Sequence, residues 1–142
     1  IDALVRVRFD MGNSPLLQRA LAGYIASGKL EAHLDRMRRV YAEKCSALCA
    51  SLSEHCSQYV EYAQPSGGFF LWVKCIGPSA QHVMRKAAEE GLVFPDGAIF
   101  FLSHTEDDTS HLRLAFSTAT LEELKAVGPR LRAAFERAIG ER

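Results

Sequence analysis

The sequence predicts an α+β fold, a small and mostly antiparallel sheet packed by helices, with one long helix near the N-terminal side. Three observations carry that prediction. Apolar residues at Leu30, Leu34, Met37, Tyr41, Cys45, Leu48, Leu52 and Cys56 recur in steps of three and four, the signature of one helical face. Two short apolar runs, Phe69–Val73 and Leu112–Phe116, are bounded by turn residues and read as strands. Thr120-Leu121-Glu122-Glu123 has the spacing of a capping box and opens a last helix.

Taken in order, Ile1–Phe9 alternates Val5, Val7 and Phe9 with Arg6 and Arg8, and reads as a short extended segment or the tail of a longer element. Asn13-Ser14-Pro15 supplies a capping side chain and a proline for the first turn of a helix whose apolar face is Leu16, Leu17, Ala20, Leu21, Tyr24 and Ile25. Gly28 suits the left-handed stop, and the long helix follows from about Lys29 to His55. A strand over Gln58–Tyr62 and a turn at Pro65-Ser66-Gly67-Gly68 come next. Phe69–Val73, apolar at every position, reads as a central strand covered on both faces, with Trp72 in the core. Ser79 or Pro78 starts a helix with Val83, Met84, Ala87 and Ala88 inward and Gly91 as its stop. Leu92-Val93-Phe94 reads as a short strand, Pro95-Asp96-Gly97 as a turn, Ile99–Leu102 as extended and Ser103–Ser110 as a polar loop. In the last helix Leu124, Val127, Leu131, Phe135 and Ala138 face inward, and Pro129 predicts a kink or one-turn break.

Composition narrows the function. The chain has 142 residues, 48% hydrophobic and 24% charged, with 17 basic residues balancing 17 acidic ones, so it can support a core and is not disordered. Zero net charge and the lack of a basic block argue against nucleic acid or an anionic membrane as main partner, and no apolar run reaches the ~20 residues of a membrane span. Cys45, Cys49, Cys56 and Cys75 form no CxxC pair; the first three fall in or beside the helical stripe and read as small core hydrophobes, reduced in a cytoplasm-like compartment. The chain opens on Ile1 without methionine or signal-peptide pattern, which reads as a piece of something longer.

One charge stands out. Arg113 lies mid-strand, and the positions sharing its face are His111, Ala115 and Ser117, three side chains smaller than its own. That leaves room for its planar fork to bind a carboxylate through two parallel hydrogen bonds; an arginine on a solvent-facing strand is the plainer alternative. Gly67-Gly68 offers close backbone approach to a ligand, though a tight turn before a strand explains it equally well. The five histidines are scattered, and His104 with Glu106, Asp107 and Asp108 reads as a hydrophilic loop rather than a metal site.

The run Pro65-Ser66-Gly67-Gly68-Phe69-Phe70-Leu71-Trp72-Val73 resembles a strand motif in the small domain of fold-type-I, pyridoxal-phosphate-dependent aminotransferases. Leu112-Arg113-Leu114-Ala115-Phe116-Ser117 with the capped helix after it resembles the same family's terminal strand and helix. Gly91-Leu92-Val93-Phe94 with Gly97 and Phe100, and upstream Asn13–Gln18, Gly28, His33 and Tyr41, fit in between and before. The resemblance is nearest to the 2-aminoadipate/kynurenine aminotransferase-like subgroup.

It implies that residues 1–28 follow a cofactor-binding domain and that 29–142 form the small C-terminal domain. It implies an amino acid and a 2-oxo acid as substrates, pyridoxal phosphate as cofactor and a homodimer when full length. It further implies that Arg113 binds the substrate carboxylate, that Phe70 lies near the substrate pocket, and that Arg8 falls in the stretch from which a dimer partner reaches substrate side chains. Asp96 departs from the family pattern, which has proline before the glycine. Lys29, Lys44, Lys74, Lys86 and Lys125 all stand outside the small-residue or serine-rich context of the family's Schiff-base lysine. No residue here is therefore expected to be catalytic, and the chain alone is expected to be inactive and without bound cofactor. Transcription regulators that fuse a winged helix to an aminotransferase-like effector domain share this pattern and are the alternative.

Overall fold

The computed structural model describes Arg6, residues 14–102 and residues 110–141. The chain divides into two compact units, Ile1–Arg38 and Arg39–Arg142. Arg8, Asn13 and the acidic stretch beside His104 lie outside the described residues. So does most of the Ile1–Phe9 segment; its one described residue, Arg6, is helical and not extended, three alternating apolar positions being too few to fix a strand.

In the first unit, helix α1 (Pro15–Ala26) has proline in its first turn, but its cap residue Ser14 makes no side-chain bond to the helix. Gly28 adopts φ +72 as expected, its N–H donating to the Ile25 carbonyl at 3.0 Å. The apolar face predicted for α1 buries none of its residues: Leu16 is 78% and Leu17 70% exposed. The long helix α2 (Lys29–Cys56) has 28 residues and runs roughly 42 Å at the α-helical rise.

The second unit holds the sheet and its core. Strands β1 (Val60–Glu61), β2 (Phe70–Cys75) and β3 (His111–Ala115) make an antiparallel sheet in the order β1-β2-β3. The register opposes Leu71 to Leu114, Trp72 to Arg113 and Val73 to Leu112. Residues alternate faces along each strand, so Leu71, Val73 and Cys75 join Leu112 and Leu114 on one buried face. Against it pack the buried side of α2 (Leu48, Leu52, Cys56), helix α3 (Ala80–Glu89) and the final helix. The other face is open: Phe70 is 43% and Trp72 38% exposed. This corrects the reading of β2 as covered on both sides with Trp72 in the core. β2 is central, but an antiparallel sheet needs only one face packed, and here Phe70 and Trp72 are shielded by a layer of aromatic rings rather than helices.

Three more local readings change. Ala88 is exposed, because α3 turns only Ala80, Val83 and Ala87 fully inward. Leu92-Val93-Phe94 forms no strand, and only Asp96 pairs with β3, opposite Leu112. Of Ile99–Leu102, read as extended, Ile99 and Phe100 belong instead to a 3₁₀ turn (Gly97–Phe100) capped by Asp96, whose Oδ1 accepts the Ala98 N–H at 3.0 Å, and the chain becomes extended at Phe101.

The C-terminal helix does break near Pro129. Helix α4 (Leu121–Lys125) opens with the predicted capping box, Thr120 and Glu123 exchanging both bonds, and α5 (Val127–Gly140) follows after Ala126. Pro129 has no N–H for the Lys125 carbonyl. The buried Ser51 hydroxyl takes its place, donating to Lys125 O at 2.6 Å and accepting the Gly128 N–H at 2.9 Å. A side chain at Gly128 would run into the Ser51 carbonyl, so glycine is required for this close helix contact. The four cysteines are free and buried, and burial pushes the thiols of Cys49 and Cys56 up to about 11 and that of Cys75 to about 12. They act as core hydrophobes, as expected. Cys49, read as bordering the stripe, is itself buried.

Candidate functional site

Arg113 sits in the middle of β3 on the open face, opposite Trp72 of β2. Its guanidinium carbon lies 4.2 Å from the centre of the Phe70 ring and 3.9 Å from that of Phe100. Cation–π attraction to both rings replaces the water that an exposed guanidinium would bind. The arginine Nε is buried and finds no hydrogen-bond partner. A buried donor without an acceptor costs about 1–3 kcal/mol, unless a ligand supplies the acceptor. A guanidinium so placed can take an anion with oxygens in its plane.

The two rings come from different elements. Phe70 is the first residue of β2, after a turn in which Gly68 takes φ +92. Phe100 ends the 3₁₀ turn, which is fixed to β3 at two adjoining points: Asp96 pairs with Leu112, and Gly97 is buried against the His111 backbone. Trp72 extends the aromatic layer, stacking on His111 at 5.3 Å and meeting Phe100 edge-on at 6.1 Å and Phe101 at 5.6 Å. Arg113 also borders a cleft of about 490 Å³ along the outer side of β3, with Leu92, Phe94 and Leu124 among its apolar walls and Glu123 and Arg130 at its polar end. The Glu123 carboxyl is held below the usual carboxylate range, first by the Thr120 backbone N–H and then by its hydroxyl. Lys44 donates to the Ser117 carbonyl at 2.9 Å, tying α2 to the loop that comes after β3.

Of the site residues expected from the sequence, Arg113 and Phe70 meet, and Arg8 lies outside the described residues. Phe100, Trp72 and Asp96 were not among them. The signal for Asp96 was present, as Asp-Gly after proline is turn chemistry with a free carboxylate to cap the next turn. Nothing local marked Phe100 as a partner of a residue thirteen positions later. Among the described residues no group of three or more His, Cys, Asp or Glu could hold a metal ion, and no helix is long and apolar enough to cross a membrane.

Known proteins share this arrangement of elements. Residues 1–131 match the family described as "Aminotransferase class I and II". The chain is 33% identical over 111 residues to the 2-aminoadipate transaminase of Thermus thermophilus, covering 78% of this chain and 28% of that protein. It is 25% identical over 122 residues to the uncharacterized HTH-type transcriptional regulator YdfD of Bacillus subtilis, covering 85% of this chain and 24% of the regulator. Among solved structures, the α-aminoadipate aminotransferase LysN of Thermus thermophilus, complexed with N-(5'-phosphopyridoxyl)-L-leucine, superposes with a TM-score of 0.80 at 30% identity, covering 92% of this chain and 33% of LysN. The chain thus spans about a quarter to a third of the length of the relatives it matches.

Proposed function

The chain belongs to the class I and II aminotransferase family, and from that premise we propose that it is the small-domain part of an enzyme that moves an amino group between an amino acid and a 2-oxo acid. One observation carries the reading: Arg113 offers a buried, unpartnered Nε and a ring-flanked guanidinium to a ligand. In this reading Arg113 binds the carboxylate common to both substrates. Two parallel N–H···O bonds fix that carboxylate and restrict rotation of the substituents on the adjoining carbon, so the same carbon is presented in one orientation at each turnover. Phe70 and the aromatic layer give the rest of the substrate an apolar wall.

The family's cofactor is pyridoxal phosphate, and the lysines of this chain do not fit its covalent anchor. Lys44 is spent on the Ser117 carbonyl, and Lys86 is held by Glu141 at 2.7 Å and Glu89 at 3.3 Å. Lys29, Lys74 and Lys125 are exposed, and no lysine lines the cleft. The anchor in this reading belongs to a part of the full-length protein beyond these residues, and the contribution of this chain is recognition of the carboxylate. The full-length protein is read as a homodimer, like the fragment's inactivity an inference from family likeness.

The test is Arg113→Lys in the full-length protein. A lysine keeps the charge but loses the planar fork. KM for the amino acid should rise and kcat/KM should fall by about 2–4 kcal/mol in transition-state stabilisation. Kinetics close to wild type would sink the assignment. A second reading, the effector-binding part of a transcription regulator, draws on the likeness to YdfD over 85% of this chain. A helix-turn-helix upstream in the full-length protein, with Arg113→Lys weakening effector binding and no transamination to lose, would select it.

A further inference from the structure

We propose that Phe100, held on its capped turn, is a positioning residue that makes the Arg113 site selective for planar carboxylates over tetrahedral anions. The proposal rests on the reading of Arg113 as the carboxylate receptor and adds to it the device that shapes the receptor.

A free arginine side chain is long and flexible, and its guanidinium accepts anions at its edges and its faces alike. Here the guanidinium carbon lies over two rings, Phe70 at 4.2 Å and Phe100 at 3.9 Å. Where a ring covers a face, no oxygen can approach it, and the in-plane N–H groups become the available contacts. Nε is one of these groups, and it is buried without a partner. A carboxylate that meets in-plane N–H groups does so edge-on, both oxygens in the guanidinium plane. A phosphonate of the same tail carries a third oxygen out of that plane, where it meets a ring.

Phe70 comes with β2, but Phe100 is placed by a short turn built for the purpose. Asp96 Oδ1 accepts the Ala98 N–H at 3.0 Å, and the Phe101 N–H closes the turn on the Ala98 carbonyl at 3.3 Å. The turn begins where Asp96 pairs with Leu112, the residue before Arg113, and Gly97 lets it press on the His111 backbone, where any Cβ would collide. The ring and the cation it covers are thus mounted on one strand. Trp72 braces Phe100 from the side, edge-on at 6.1 Å. Phe100 is itself 42% exposed, so its ring is not there to fill the core.

The experiment compares two ligands with one tail, 3-phenylpropionate and 2-phenylethylphosphonate, titrated calorimetrically into the full-length protein and its variants. The wild type should bind the carboxylate about tenfold or more tighter than the phosphonate. Phe100→Ala should bring the ratio to within about threefold, and Phe100→Leu, which keeps part of the bulk without the π face, should fall between Phe100→Ala and the wild type. Phe100→Tyr should restore the wild-type ratio, and Asp96→Ala should lie between. Thermal melts should stay close to wild type throughout, since the ring lies outside the core. A wild-type ratio in both Phe100→Ala and Phe100→Leu, or no rescue by Phe100→Tyr, overturns the proposal. Arg113→Ala separates it from the reading beneath: loss of both ligands while the Phe100 variants keep the ratio removes the proposal alone, and undiminished binding of both by Arg113→Ala removes the reading itself.

Discussion

The two faces of one three-stranded sheet do different work. On one, Leu71, Val73, Leu112 and Leu114 are buried under α2, α3 and α5, together with Phe116 and Phe135. On the other, Phe70, Trp72, His111 and Arg113 stand half open, with the rings of Phe100 and its neighbour Phe101 set against Trp72 and Arg113. The same strands supply both sets, residue by residue, because a strand must send alternate side chains to opposite sides. If Arg113 binds the substrate carboxylate as proposed, stability and recognition are separable by parity: even-numbered positions of β3 hold the domain together, and Arg113, at an odd-numbered one, stands on the open face. Arg113 tolerates an orphaned Nε on the open side that the packed side does not contain among its described side chains.

The largest effect expected from breaking this division is in the core. Phe135 is fully buried and stacks on Tyr59 at 5.2 Å. Phe135→Ala should lower the stability of the full-length protein by about 3–5 kcal/mol in denaturant unfolding, while the folded fraction keeps its affinity for carboxylate ligands. An affinity change as large as that of Arg113→Lys would show that the faces are coupled. Next comes Ser51, whose hydroxyl replaces the N–H that Pro129 lacks. Ser51→Ala takes the partner from the buried Gly128 N–H and from the part-buried Lys125 carbonyl and should cost about 1–3 kcal/mol. Ser51→Cys, a weaker donor of similar shape, should fall between. A loss no larger than that of an exposed serine would mean the helix break is satisfied in another way.

The same division of faces explains how much could be read in the sequence. The packed face was legible because burial imposes periodicity: Leu112, Leu114 and Phe116, the stripe of α2 and the inward set of α5 all derive from spacing alone. The capping box and the break near Pro129 were legible from short-range chemistry. The open face was not. Phe70 and Trp72 have the composition of core residues, and their exposure depends on which elements the tertiary fold leaves off that side. Arg113 could be singled out from its small neighbours, but its rings could not, since Phe100 reaches it only through a turn stapled to β3. Asp96, which looked like a departure from the family pattern, is the cap that holds that turn. Ser51 as the surrogate for a missing helix bond lies 74 residues from the carbonyl it serves, beyond any local motif.

The smallest expected effect lies beside the sheet, at Glu123, which caps α4 and also lines the cleft that Arg113 borders. Its carboxyl is held below the ordinary carboxylate value, chiefly by the Thr120 backbone N–H donating at 2.7 Å. A folded-state value below the unfolded one means that the charged form is favoured by folding. Its contribution is therefore complete above the ordinary carboxylate range and is lost as pH falls through the lowered folded value. The melting temperature of the wild type should exceed that of Glu123→Ala at neutrality, and the gap should narrow as pH falls below the ordinary carboxylate range and through the lowered folded value. Glu123→Gln, which can still bond back to Thr120 but carries no titrating proton, should lose this pH dependence while keeping part of the cap. A gap that stayed constant with pH would show that the charge of Glu123 does not matter to the fold, and that its place in the cleft is the only role left for it.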